Sequence, residues 1–230
     1  MKEDNLNLCH NAFDLEKSSL PESVMIQDNH IRFTQTINEV IYISIDHCSD
    51  FSVSFTLERD VHITINQIFS KGSHLVSKCS FDLKDNSELS FIEIFENNNK
   101  NEHQLNAAIG YGACLNYFHF NFGNLSQKTT GQFSLISPSA SANIHSFYAQ
   151  RNIERFHFNI EVKHLAPSTY SSQKVKGVLY GNSQSNFKGR IHINKNASQS
   201  EAFQINKNFV LSNGARDIGM PELEILPDDV

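Results

Sequence analysis

The 230-residue sequence has no tryptophan, only five prolines and no C-x-x-C pair. Its four cysteines, Cys9, Cys48, Cys79 and Cys114, are widely spaced, which argues against a disulfide framework and favours reduced thiols. No apolar run approaches the roughly 18 residues of a membrane span, and the charged amino terminus lacks the apolar core of a signal peptide. We therefore expect a cytoplasmic protein without a membrane segment.

Signatures of several enzyme classes are also missing. There is no G-x-S-x-G elbow, and the glycine-rich segment that begins at Gly110 lacks the third glycine of a dinucleotide fingerprint. The acidic residues Asp82, Asp85, Glu93 and Glu96 are dispersed along the chain and form no evident catalytic group. The sequence therefore gives no direct support for catalysis.

Eleven histidines raise the question of a metal site. The adjacent pairs Cys9-His10 and His47-Cys48 would point to opposite faces of a strand, whereas zinc sites favour closely spaced ligands on one face. We therefore predict no metal site from local spacing. Ligands that meet from distant strands stay an open alternative, because sequence spacing does not reveal them.

Charge is unevenly distributed. Residues 1–150 contain 9 basic and 17 acidic side chains, residues 151–210 contain 9 and 3, and residues 211–230 contain 1 and 5. In the basic part, Lys174, Lys176, Lys188 and Arg190 alternate with apolar residues, as on the solvated face of a half-buried sheet. RNA-recognition motifs are missing. We predict a solvated surface or a protein contact, and no nucleic-acid binding.

From Ile31 onward, β-branched and aromatic residues alternate with polar ones, which is typical of strands. Eighteen phenylalanines and six tyrosines supply large side chains for a core. Residues 1–30 are less regular, and a short helix over residues 8–16 is predicted before Pro21. The polar run at residues 96–102 predicts a loop. We expect one all-β domain over residues 31–230, preceded by an irregular or short-helical segment.

The last part of the chain, residues 164–230, repeats short strands and turns. Phe187, Gly189, Ile191 and Ile193 are predicted to face one way and the residues between them the other. The repeat of about 15 to 18 residues is too long for tight hairpins and too short for strand-helix-strand units. It favours coils of short strands stacked as a parallel β-helix. An antiparallel sandwich or jelly roll is the structural alternative.

A stacked coil has two open ends, whose unpaired backbone groups attract other strands. The strands predicted at the carboxyl end of this sequence are Lys174–Leu179, Asn186–Ile193, Ala202–Leu211 and Glu222–Leu226. Pairing of the last two with another molecule is therefore a natural hypothesis.

The same residues resemble the core of the SufB/SufD family of iron-sulfur cluster assembly proteins. The Phe187-Lys188-Gly189 segment stands where the B-type member has Tyr-Arg-Gly, and Gln204-Ile205-Asn206 stands where it has Gln-Cys-Asp, so the resemblance is to the D-type. The residues of the family-like pattern to which we assign a structural role are His164, Pro167, Gly177, Phe187, Gly189, Pro221, Asp228 and Asp229.

The resemblance implies a right-handed parallel β-helix that acts as a non-enzymatic scaffold or accessory subunit. Its expected partner is a SufB-like subunit or a second copy of the chain. No cofactor is expected to bind firmly, although an iron-sulfur cluster is expected to form transiently in a complex. The candidate interface residues are Ala202, Gln204, Asn206, Asn208, Leu223 and Ile225.

The pattern of D-type relatives continues beyond the residue equivalent to Val230 into a Cys-Ser-His-Gly-Ala-Thr-like segment and a helical region that docks the ATPase SufC. Those residues are absent from this sequence, so SufC docking does not carry over. Two alternatives stay open. One is a β-helix enzyme acting on a polysaccharide or acyl substrate, since fold alone does not fix function. The other is a degenerate SufD paralogue that only homodimerises.

Overall fold

Alternating apolar and polar residues form strands along most of the chain. The computed structural model describes residues 5–7, 23–45, 50–69, 75–96 and 100–229. Within those residues, all regular secondary structure is β-strand. The strands are β1 (Asn5–Asn7), β2 (Val24–Gln27), β3 (His30–Phe33), β4 (Val40–Ile45), β5 (Asp50–Leu57), β6 (His62–Phe69), β7 (Leu75–Leu83), β8 (Glu88–Phe95), β9 (Lys100–Ile109), β10 (Cys114–Phe122), β11 (Ser126–Leu135), β12 (Ser141–Gln150), β13 (Arg155–His164), β14 (Tyr170–Leu179), β15 (Gln184–Ile193), β16 (Glu201–Val210) and β17 (Arg216–Ile225).

Consecutive strands from β4 onward alternate between two sheets, so two strands make one coil. In the described part of the chain, one sheet has the order β1-β4-β6-β8-β10-β12-β14-β16 and the other has the order β17-β15-β13-β11-β9-β7-β5-β3-β2. All neighbouring strands are parallel except the β2–β3 pair, which is antiparallel. The predicted parallel β-helix is confirmed, and the antiparallel sandwich is wrong.

The predicted strands and turns at the carboxyl end agree closely with the structure. Each of the four predicted strands ends within one residue of an observed strand end, and turns separate them. β17 begins six residues earlier than the alternation indicated, because Gly219 and Pro221 interrupt its apolar pattern. Proline is tolerated there because β17 is an edge strand and needs no donor on its unpaired side.

Two details near the amino end differ from the sequence pattern or extend it. The loop predicted over residues 96–102 ends earlier, because β9 already begins at Lys100. Within residues 1–30 the structure places β1 and β2, and β2 pairs with β3 as a hairpin. The predicted helix over residues 8–16 lies outside the described residues.

The core lies between the two sheets and is built largely of stacked aromatic rings. Phe69 and Phe95, which are register partners on β6 and β8, stack with ring centroids 4.3 Å apart. Phe55 and Phe81 stack in the same way in the other sheet at 5.6 Å. Because apolar residues fall in register from coil to coil, most of the core forms one continuous cluster, and Ile191, Ile193 and Ala197 form a second, smaller one near the carboxyl end.

Gly177 on β14 shows how closely neighbouring coils pack. Its register partner on β12 is Tyr148, and the buried Tyr148 ring covers the glycine. A Cβ at position 177 would lie closer than 3.0 Å to that ring, a separation that real Cβ atoms essentially never show. The glycine therefore provides the space that the tyrosine occupies.

We predict that Gly177→Ala lowers the free energy of unfolding by about 1–3 kcal/mol, since overpacking a core forces side chains from their rotamers. Chemical denaturation measures the change. The matched control is Lys176→Ala, which alters an exposed neighbour on the same strand and should change stability by less than about 0.5 kcal/mol. Wild-type stability in Gly177→Ala would contradict the packing described.

Candidate interface at the open end of the β-helix

β16 and β17 are the terminal strands of the two sheets, so each pairs with another described strand along one edge only. β16 pairs with β14 and β17 pairs with β15, and both pairs continue for ten residues. Along their other edges, the backbone N–H and C=O groups have no neighbouring strand among the described residues. Such edges are templates for strand addition.

Apolar side chains that would be core residues elsewhere are exposed on this rung. Leu223 and Ile225 on β17 are in register with Ile191 and Ile193 on β15. The two β15 residues are 3% and 2% exposed, whereas Leu223 is 64% exposed and Ile225 is 43% exposed. The inward-facing apolar positions of β15 thus continue on β17, where their side chains are exposed.

The outer faces of the same two strands add further exposed apolar area. On β16 these residues are Phe203, Ile205 and Phe209, and the exposed Val210 and Leu211 lie at the end of the strand. On β17 they are Ile218 and Met220. Exposed apolar side chains on strands are often found at protein-protein contact surfaces.

The inward-facing side of β16 is polar. Gln204 donates a hydrogen bond from Nε2 to Gln173 Oε1 at 2.9 Å. Asn208 donates to Asn206 Oδ1 at 2.9 Å and to Asp217 Oδ2 at 2.7 Å, which ties β16 to β17. Gln204, Asn206 and Asn208, together with Ala202, are only partly covered because no further rung lies over them.

The six candidate interface residues therefore all lie on the terminal rung and face the inside of the coil. The sequence pattern did not single out the outward-facing Phe203, Ile205 and Phe209, because exposed apolar residues at alternate positions of a strand look like ordinary core residues. Phe209 is 70% exposed, the most exposed of the three.

Charged residues on the outer face of the second sheet pair across rungs. Lys188 Nζ lies 3.0 Å from Glu222 Oε1. Arg190 lies 3.6 Å from carboxylate oxygens of Glu161, Glu222 and Glu224. The basic residues on β15 and the acidic residues near the carboxyl end thus neutralise one another locally, with the small energies typical of exposed ion pairs.

The family-like residues divide into a buried and an exposed group. Gly177 and Phe187 lie in the core, Gly189 faces the same interior, and Pro167 is partly buried in a turn. Pro221, Asp228 and Asp229 are exposed at the carboxyl end. His164 is fully buried.

Three of the acidic residues singled out from the sequence lie apart in the structure. Glu93 lies fully buried between the sheets, whereas Asp82 pairs with Lys84 on the outer face and Asp85 lies in an exposed turn. These carboxylates cannot act on one substrate together. The adjacent Cys-His pairs of the sequence lie outside the described residues. Sequence spacing also did not reveal Cys79, Glu93 and His103, whose ligand atoms lie within 4.8 Å of one another.

The architecture defines a class: a parallel β-helix, whose last two strands each have one neighbouring strand among the described residues. The sequence matches the family described as "SUF system FeS cluster assembly, SufBD core domain" over residues 37–230. The chain therefore belongs to the SufBD family of the iron-sulfur cluster assembly system. None of the described residues form a helix long and apolar enough to cross a membrane.

A curated relative is similar over a shorter stretch. It is the iron-sulfur cluster assembly SufBD family protein of Mycobacterium leprae (strain TN), which is 25% identical over 131 residues. The match covers 54% of this chain and 33% of the relative. The matched stretch thus spans about a third of the length of that relative.

His164 has a hydrogen-bond partner on each ring nitrogen. Nδ1 lies 2.8 Å from Thr169 Oγ1, and Nε2 lies 2.8 Å from Ser171 Oγ. Thr169 in turn contacts Ser200 Oγ at 2.8 Å, which links two coils. Burial lowers the pKa of His164 to about 4, so the ring stays neutral in the folded chain at neutral pH.

We predict that the free energy of unfolding decreases as the pH falls from about 6.5 towards 4. The unfolded chain takes up a proton at His164 near pH 6.5, whereas the folded chain does not until about pH 4. Protons therefore favour the unfolded state in this window, by on the order of 1 kcal/mol per pH unit.

Denaturation between pH 4 and 8 measures the slope. His164→Gln should have a shallower slope than the wild type. Ser171→Ala keeps the titrating ring, so it should lose stability but retain the slope. An unchanged slope in His164→Gln would show that the ring does not carry the effect.

Proposed function

We propose that the chain is a non-catalytic, SufD-like scaffold subunit of iron-sulfur cluster assembly. It pairs through the edges of β16 and β17 with a SufB-like subunit or with a second copy of itself. The observation that carries the proposal is the exposure of Leu223 and Ile225, which occupy inward-facing positions that are buried one rung earlier. A strand added to this edge would restore their cover and pair the open backbone groups.

Different groups would determine the register and the affinity of such a contact. Backbone hydrogen bonds along ten-residue edges fix the register of an added strand. The apolar side chains supply the affinity, because burial of apolar area contributes about 25 cal/mol per Å² before the costs of association. The amides of Gln204, Asn206 and Asn208 can both donate and accept, so they suit a polar contact at the centre of the rung.

The side chains of the terminal rung favour a scaffold over a ligand-bearing subunit. Residues 201–229 contain neither cysteine nor histidine. Iron-sulfur clusters are held mainly by cysteine thiolates, and Ile205 stands where the B-type pattern has cysteine. A cluster formed at this contact would therefore take its thiolate ligands from the partner, while this chain positions the partner. We place the assembly in the cytoplasm, where the free thiols Cys79 and Cys114 stay reduced.

We predict that Leu223→Lys weakens the association at least tenfold, because a buried, unpaired ammonium group would replace an apolar anchor. Light scattering with size-exclusion chromatography measures self-association. Co-expression with a B-type subunit of the same genome, followed by co-purification, measures the heteromeric contact. The matched control is Ile153→Lys, because Ile153 is also 64% exposed but lies in a turn away from the terminal strands.

The two partners give different masses. Capture of the B-type subunit supports the accessory role in cluster assembly. A dimer of this chain alone, with no capture, supports the degenerate homodimer instead. A chain that is monomeric at all concentrations and captures no B-type subunit would overturn the proposal, as would equal effects of the two lysine substitutions.

A further inference from the structure

A polar cluster lies inside the β-helix, far along the chain from the terminal rung. Cys79 on β7, Glu93 on β8 and His103 on β9 come from three consecutive strands, and all three side chains are buried. Their ligand atoms lie within 4.8 Å of one another. Because β7 and β9 belong to one sheet and β8 to the other, the three residues face one another across the interior.

Glu93 is the centre of the cluster. Its Oε2 accepts a hydrogen bond from Tyr117 Oη at 2.7 Å, and its Oε1 accepts one from Gln67 Nε2 at 3.2 Å. His103 Nε2 lies 3.0 Å from Oε1. A carboxylate that is 0% exposed is costly unless it is paired or coordinates a cation.

Two buried polar atoms at the cluster have no hydrogen-bond partner. His103 Nε2 is close to Glu93 but lacks the geometry of a hydrogen bond, and Gln67 Oε1 has no hydrogen-bond partner. Buried polar atoms normally have partners. In the structure, Gln67 Nε2 lies 3.9 Å from Cys79 Sγ. A half-turn of the Gln67 amide exchanges the positions of its oxygen and nitrogen, so the oxygen would then lie beside Cys79.

We propose that Cys79, Glu93 and His103 bind one divalent transition-metal ion of the Zn²⁺ or Fe²⁺ type, with Gln67 supplying a fourth ligand through its oxygen. A thiolate, a carboxylate and an imidazole form a donor set suited to these ions. Mg²⁺ and Ca²⁺ require oxygen ligands and do not fit the sulfur and nitrogen donors.

The charge of the site supports a divalent ion. A thiolate at Cys79 and a carboxylate at Glu93 together carry two negative charges, which a 2+ ion cancels in an interior that tolerates little net charge. In the metal-free chain, burial raises the pKa of the Cys79 thiol. Binding therefore forms the metal-sulfur bond and releases the thiol proton to solvent.

The geometry requires only small movements. Metal-ligand bonds are about 2.0–2.3 Å long, so two donors on a tetrahedral ion lie roughly 3.4 Å apart. The Glu93–His103 contact of 3.0 Å must open slightly, and the wider separations, up to 4.8 Å, must close. Side-chain shifts of about 1 Å meet both needs.

The outer partners of the ligands are already in place. Ser77, the register neighbour of His103, lies 2.6 Å from His103 Nδ1 and leaves Nε2 directed into the cluster. Tyr117 holds the second oxygen of Glu93. Metal-binding histidines and carboxylates are usually oriented by such second contacts. The site does not depend on the proposed interface, because its ligands lie on β6–β9 and not on the terminal strands.

The test uses the full chain, since the site lies within the core. The protein is unfolded with a chelator, refolded anaerobically with Co²⁺ and separated from free metal. We expect about one cobalt per chain, with the charge-transfer absorption of a cobalt-thiolate bond. Refolding with Zn²⁺ in place of Co²⁺ should give a chain without the band.

Variants identify the ligands. Cys79→Ser should lose the thiolate band, and Glu93→Gln and His103→Gln should lower the affinity for Co²⁺ at least tenfold. The matched control is Cys114→Ser, which removes a half-buried thiol outside the cluster and should leave the band unchanged. A variant in which Cys9, Cys48 and Cys114 are all replaced by serine retains Cys79 and should keep the band. This variant tests the ligand assignment even if the substitutions within the cluster prevent folding.

Two results would overturn the proposal. The first is a folded wild-type chain that retains no cobalt, which would make the cluster a purely hydrogen-bonded network. The second is loss of the thiolate band in the chain that retains Cys79 alone, which would place the ligand on another cysteine.

Discussion

Backbone pairing between stacked coils is the constraint on which the structure depends. A strand in the middle of the stack has a neighbour on each side, so its N–H and C=O groups are satisfied and its inward side chains are covered. β15 meets this condition, and its inward residues Ile191 and Ile193 are buried. β17 has the same alternation and the same register but one neighbouring strand among the described residues, and its inward Leu223 and Ile225 are exposed. The difference lies in position in the stack and not in local sequence.

In-register stacking also explains how the interior holds polar side chains. Each polar residue lies directly beside the residue one coil away, so Ser77 meets His103 and Gln67 meets Glu93. Tyr117 reaches Glu93 from the next rung of the same sheet. Polar side chains in neighbouring coils thus supply partners for one another, and these contacts lower the free-energy cost of burying them.

Much of the fold was predictable from sequence because the alternation of apolar and polar residues along a strand can be recognised within a short segment. Alternation identified β15, including which side of Phe187 and Ile191 is buried, and the spacing of turns indicated stacked coils. The start of β17 was missed because Gly219 and Pro221 hide the alternation.

The sites were harder to predict, since they depend on which coils are neighbours. Cys79 and His103 lie 24 residues apart, and no spacing rule for metal ligands connects them. Their meeting follows only from the lengths of the turns, which set the register between β7 and β9. The candidate interface residues could be named from sequence because open ends follow from the architecture itself, and their role stays a prediction.

Under the two proposals, inward-facing positions have different roles at two places in the stack. At the terminal rung they are open to solvent, so a partner can bind and leave without any change in the coils. In the middle of the stack they are covered on every side, and an ion can enter only while neighbouring coils are apart. An ion held by Cys79, Glu93 and His103 is consequently taken up as the coils assemble and stays with the folded chain. Its binding energy then contributes to folding, as is usual for buried structural metal sites. The proposed partner would therefore bind reversibly at the end of the β-helix, and the proposed ion would be held permanently inside it.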